Sequence, residues 1–171
     1  MKNLINPLLI ILVAVVLRLL PHPPNFAPIA GLALFGGAYL NKKYALILPL
    51  IALFASDLFI GFHSTMPFVY GSFLLSGLIG LGLQSKKSVP TVFGASLLSS
   101  VLFFVITNFG VWAVSGMYAP TIEGLVKCYT LALPFFRNTL LGDLFYTGLF
   151  FTSYELARRV AQNPKKAISL R

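Results

Sequence analysis

Only four acidic residues occur among 171, and two of them, Asp57 and Asp143, stand inside long apolar runs. A carboxylate at the centre of a membrane-spanning helix costs roughly 2.5–3.5 kcal/mol to insert, less toward the interface, so each requires a cation, hydrogen-bond donors or water. Asp57 lies six residues before His63, and Asp143 six residues after Arg137. At about 1.5 Å per residue each carboxylate falls about 9 Å from the end of its helix, and the two can share one layer. Arg18, His22, Asn25, Thr107, Asn108, Trp112, Arg137, Asn138 and Thr139 fall near that layer. Thr139, Asp143, Tyr146 and Thr147 share one helical face, which argues for a polar lining rather than an isolated charge. Asn108 and Trp112 share a face if the fifth helix runs on to Ser115. An amide beside an aromatic suits a flat ligand, although Trp at a membrane interface also serves as an anchor.

The predicted ligand-binding set is therefore His22, Asn25, Asp57, Asn108, Trp112, Arg137, Asn138 and Asp143. A plainer reading has Asp57 and Asp143 pairing with Arg18 and Arg137 only to hold helices together. Arg18 is expected to snorkel to the outer interface, with binding of an anionic ligand group as the alternative. Glu155 and Arg159, at i and i+4, read as a solvated pair. His22, His63 and Asp57 show no ligand spacing, so no metal is expected. The lone Cys128 excludes an internal disulfide and reads as a small buried apolar residue. No nucleophile with its base, phosphate loop or dinucleotide fingerprint occurs, so no catalytic residue, cofactor or enzymatic activity is expected.

The elements that must position these groups follow from composition. Apolar residues make up 57% and charged residues 10%, with mean hydropathy +0.86, where a soluble domain carries roughly 25% charged residues. This predicts an all-α integral membrane protein, a single domain over 1–171. Breaks at prolines, glycines and lysine pairs predict spans at 4–20, 26–40, 44–62, 67–83, 90–108 and 136–157. The second, at about 1.5 Å per residue, reaches only about 22 Å. A semi-apolar stretch, 124–136, is too short to span and is expected to be interfacial or re-entrant. Residues 1–20 resemble a signal peptide in charge and apolarity but lack an A-x-A site, and are read as the first helix. Ser72, Ser76 and Gly80, Ala33 and Gly37, and Ser96 and Ser100 form small-residue ladders that let helices approach closely or meet a partner protein.

With six crossings, ten of the thirteen basic residues fall on one side, and only Arg18, Lys127 and Arg137 fall outside or near the other. The positive-inside rule then predicts both termini cytoplasmic, in a multi-pass protein of the cell membrane. Orientation and anionic lipid account for the net charge of +9 without nucleic acid.

The strings PNFAPIAGLALFGGAYL from Pro24, SDLFIGFH from Ser56, FFVITNFGVW from Phe103 and MYAPTIEGLVKCYTLALPFFRNTLLGDLFYTG from Met117 resemble a family of small bacterial membrane proteins of unknown function. More loosely, six helices with both ends inside, and the pattern from Asn25 to Ala38, resemble the substrate-binding S components of energy-coupling factor vitamin transporters. That resemblance implies an outward-facing pocket covered by a loop between helices one and two, here Pro21 to Ala27. It also implies a transmembrane coupling subunit with ATPases as partner. Of the alanine-x-x-x-alanine docking motif, the first helix offers only Ala14, with Arg18 four residues on. The expected function is a substrate-capture subunit for uptake of a small vitamin-like or other micronutrient molecule at the inner membrane, energised by partner ATPases or an ion gradient. A non-transporting structural or partner-binding membrane protein is the second reading. A stand-alone secondary transporter is the third, and an inverted repeat, its usual signature, is not visible.

Overall fold

The computed structural model describes residues 7–162, and all regular elements among them are helices: α1 (Pro7–Leu19), α2 (Ile29–Tyr39), α3 (Lys42–Ile60), α4 (Met66–Gly82), α5 (Val89–Val114) and α6 (Ile122–Gln162). Residues 4–6 of the first expected span lie outside the described residues. The helix ends have local causes. Asn41 caps α3 by accepting the Lys43 N–H, and Ser88 caps α5 by accepting that of Thr91. Pro67 and Pro90 occupy first-turn positions, where a missing N–H costs no helix bond. Gly61 ends α3 with φ at 102°, a conformation that favours glycine.

Two helix boundaries differ from expectation. The stretch 124–136 is not separate from the sixth helix, because α6 runs unbroken from Ile122 and at about 1.5 Å per residue is about 60 Å long. Pro134 removes one internal bond, but side chains on the first turns of α6 fasten that segment to α5. Tyr129 donates to the Val105 carbonyl (2.6 Å), Cys128 Sγ lies 3.4 Å from that of Asn108, and the Phe104 ring meets Tyr129 and Phe136. The second helix is shorter still than expected, 29–39 against 26–40, because Pro23, Pro24 and Pro28 hold the preceding segment out of helix. Ten of its eleven residues are buried, so α2 is the central helix, enclosed by the others.

Successive helices alternate in direction. The α2–α3, α4–α5 and C-terminal α6 ends meet where Lys87 lies over the Tyr39 ring, Tyr39 donates to Glu155, and Gln84 caps α2 through the carbonyls of Gly37 and Leu40. Exposed Lys42, Lys43, Lys86, Lys87, Arg158 and Arg159 gather at this end. The opposite end holds the loops 20–28 and 61–65 and the turn 115–121. Outward faces carry large exposed apolar side chains, among them Leu58, Phe59, Phe93, Val101, Val105, Phe109, Leu141 and Phe145. By length and composition α3 and α5 are long and apolar enough to cross a membrane, and α2 and α4 are shorter apolar helices.

The small-residue ladders face other helices of the bundle. Gly37 of α2 meets Gly77 and Gly80 of α4, Ser76 of α4 meets Ser99 of α5 through their hydroxyls, and Ser96 of α5 meets Thr147 of α6.

Candidate ligand cavity

At the end away from the basic cluster the helices diverge around a cavity of about 400 Å³. Each helix contributes to its wall. Arg18 comes from α1, Ala30 from α2, Ile60 from α3, and Val69 and Phe73 from α4. Phe103, Phe104, Thr107, Asn108 and Val111 come from α5, and Ala132, Phe135, Thr139 and Asp143 from α6. His22, Asn25 and Ala27, from the loop after α1, and His63 and Thr65, from the loop after α3, complete it. The wall thus divides almost evenly between apolar side chains, four of them phenylalanines, and polar groups that converge on the space.

The loop that carries Asn25 is pre-shaped by its sequence. Pro24 and Asn25 occupy the central positions of a turn closed by the Phe26 N–H to the Pro23 carbonyl (3.0 Å), and Asn25 has φ at 65°. Proline followed by a positive-φ asparagine is the signature of a type II turn. Phe26 then seats on Gly142, where an added Cβ would lie 3.0 Å from the Phe26 Cα, and its ring meets Phe145 and Tyr146. The loop is therefore pinned to α6 beside Asp143.

Asp57 and Asp143 are both buried, at 1% and 3% exposure, and have different partners. Arg18 turns inward rather than snorkelling outward. Its Nη1 donates to Asp57 Oδ1 at 2.7 Å, to the Leu53 carbonyl at 3.1 Å, and to Ser56 Oγ. Tyr70 donates to the second oxygen of Asp57 at 2.8 Å. Both oxygens of Asp57 are thus engaged, and Asp57 itself is not on the cavity wall, where its partner Arg18 is. Asp143 has no such cation among the described residues. The Ser100 hydroxyl donates to its Oδ2 at 2.6 Å while also lying 3.0 Å from the Ser96 carbonyl, so that one hydrogen is shared.

Of the predicted set, His22, Asn25, Asn108 and Asp143 line the cavity. The Asn108 amide donates to the Phe104 carbonyl (2.8 Å), and the two ring nitrogens of His22 face the carbonyls of Pro23 and Arg18. Four of the predicted residues are not on its wall, Asp57 behind its partner Arg18 and three others. Trp112 Nε1 donates to the Ala119 carbonyl, tying the α5–α6 turn down, Arg137 is exposed, and Asn138 is half-buried beside it. At about 100° per residue Arg137 lies about 200° and Asn138 about 100° around the helix from Thr139, so the helix that carries Thr139 and Asp143 inward carries Arg137 outward. Glu155 pairs with Arg158 (3.4 Å) and with Tyr39, not with Arg159 as expected.

Tyr70 and Ser100 are polar partners that sequence reasoning missed, and the wall aromatics Phe73, Phe103 and Phe135 were indistinguishable from core. A tyrosine within an apolar helix requires a partner for its hydroxyl, which was the available signal for Tyr70. A second, larger groove of about 520 Å³ runs along α5 and α6 at the basic end, but no buried ionisable group lines it.

The fold and site define an α-helical bundle with a partly polar cavity at one end. The chain belongs to a family of unknown function (DUF6580), matched over residues 1–166. No curated protein and no solved structure matches it.

Proposed function

We propose that the six helices cross the cell membrane with both termini cytoplasmic and that the protein captures a small micronutrient-like molecule from the outer face. The observation that carries this reading is the asymmetry of the bundle. The cavity, with Asp143 in its wall, opens at the end away from Lys42, Lys43, Lys86, Lys87, Arg158 and Arg159, and positive residues favour the cytoplasmic side. Exposed apolar side chains on the outward faces, which in water would form an unusually large apolar surface, support immersion in lipid. Beyond the cavity the bundle is filled by the cluster of Leu34, Phe35, Ala38, Leu83, Ala95 and Phe151, which suits capture better than free conduction. No nucleotide-binding motif occurs in the chain, so release inward would draw on a coupling subunit with ATPases, as the resemblance to S components implies, or on an ion gradient.

A second reading, a non-transporting membrane protein, is favoured by one observation: the closed Arg18–Asp57–Tyr70 network needs no ligand. Mass spectrometry of small molecules retained by the protein in mild detergent separates the two. Under the capture reading a defined molecule accompanies the parent protein, and Asn108→Ala and Asp143→Ala each lower its occupancy about tenfold or more, as loss of a buried polar contact predicts. Both variants stay folded in the membrane. Unfolding of both variants, with nothing recovered from the parent, supports the second reading.

A further inference from the structure

The unequal treatment of the two buried carboxylates points to the chemistry of the ligand. Asp57 has an arginine, whereas Asp143, 3% exposed, has one neutral hydroxyl on Oδ2 and, among the described residues, no hydrogen-bond partner on Oδ1. Among the described residues no buried side-chain oxygen or nitrogen lacks a partner, so Oδ1 borders open space, and the space Asp143 lines is the cavity. No Lys, Arg or His nitrogen of the described residues lies within 4.0 Å of either oxygen. The other charged or titratable groups on the wall are already engaged. Arg18 is balanced by Asp57, His22 faces two carbonyls, and His63 Nδ1 meets Thr65 Oγ1. Phe73, Phe103, Phe104 and Phe135 share this wall, with Phe73 and Phe103 at 5.1 Å between ring centroids. Aromatic faces attract cations through their quadrupole, and more strongly away from water.

We infer that the cavity selects a small organic cation, whose protonated nitrogen meets Asp143 Oδ1 and whose apolar body lies among the four phenylalanines. This deepens the capture reading and rests on it. The ligand then supplies the counter-charge that the fold withholds from Asp143, and an empty cavity leaves that carboxylate the least favourably placed ionisable group in the wall.

The test uses three molecules of nearly one shape on the purified full chain: benzamidine, a cation; benzamide, its neutral isostere; and benzoate, an anion. Binding is read by saturation-transfer NMR and by the shift of the thermal unfolding midpoint. Benzamidine is expected to bind about tenfold more tightly than either of the others, the difference expected for a charge-assisted contact in a dry site. Asp143→Asn, which keeps the shape and the Ser100 contact, should erase that preference. Lys87→Ala, at the other end of the bundle, should keep it. Equal binding of benzamidine and benzamide by the parent overturns the proposal without reference to any variant, as does a preference for benzoate or no binding by any of the three. A preference that survives Asp143→Asn overturns it too, since the charge of Asp143 would then not be its source. The two readings fail separately: a neutral or anionic molecule recovered with the parent protein ends the cation assignment and leaves capture standing, whereas recovery of no molecule, with Asn108→Ala and Asp143→Ala both unfolded, ends capture.

Discussion

Gly37→Leu is expected to abolish the folded bundle, and even Gly37→Ala to cost about 3 kcal/mol or more, against a usual total of about 5–15 kcal/mol. The central helix α2 meets α4 along a seam where backbones touch. A Cβ at Gly37 would lie 2.5 Å from the Gly77 carbonyl oxygen and 2.6 Å from the Gly80 Cα, and one at Gly80 would lie 2.5 Å from the Leu34 carbonyl oxygen. These neighbours are main-chain atoms and have no rotamer by which to yield. Relief requires α2 and α4 to separate, which would disturb the contacts α2 makes with α3 and α6. In the proposed membrane setting no hydrophobic drive would restore such contacts, and helix association would depend on close packing of this kind. Gly71 and Gly94 provide the contrast, because a Cβ there meets nothing within 4 Å. Gly71→Ala and Gly94→Ala should be neutral or stabilising by up to about 1 kcal/mol, through helix propensity and a less free unfolded chain. Denaturant titration of the purified variants measures the difference. A Gly37→Ala protein as stable as the parent would remove the α2–α4 seam from the account.

The next largest loss is expected from Asp57→Ala, about 3–5 kcal/mol. That substitution strands the Arg18 guanidinium, 14% exposed, beside the Leu53 carbonyl and the Ser56 hydroxyl, and frees the Tyr70 hydroxyl. Most of the loss is the cost of an unpaired buried charge, not the net worth of the pair. The double replacement Arg18→Met with Asp57→Leu should therefore recover most of the stability that the single change removes. Unfolding midpoints of the single and double variants decide the point. A single variant within about 1 kcal/mol of the parent, as for an exposed ion pair, would mean that Arg18 reaches solvent after all.

Much of this arrangement is legible in the sequence because charge is rare in the chain. With four acidic residues in all, the two inside apolar runs single themselves out, and the helical repeat alone puts Thr139, Asp143, Tyr146 and Thr147 on one buried face. Helix ends are similarly marked by Asn41, Gly61 and Ser88. The direction of a long side chain is not marked. Arg18 can snorkel or fold inward from the same helical position, and only the packing of α1 on α3 brings Asp57 within its reach. Arg137 and Asn138 were assigned by depth, which ignores rotation about the helix axis. Depth is shared by every residue of a turn, whereas a cavity wall takes only one face of it. The segment 124–136 misled because Pro134 and the polar run from Lys127 resemble a break, while the contacts that keep it helical, Tyr129 to Val105 and Phe136 to Phe104, are made with another helix.

The central claim is that the cavity end of a membrane-embedded bundle faces outward, and cysteine accessibility in intact cells tests it most directly. In a Cys128→Ala background, Ser64→Cys, exposed beside Thr65 of the cavity wall, is expected to react with a membrane-impermeant maleimide added outside. Lys42→Cys and Lys86→Cys, exposed at the basic end, are expected to react only after the membrane is opened. Reaction of position 42 or 86 from outside, with position 64 protected, would contradict the account by turning the cavity toward the cytoplasm.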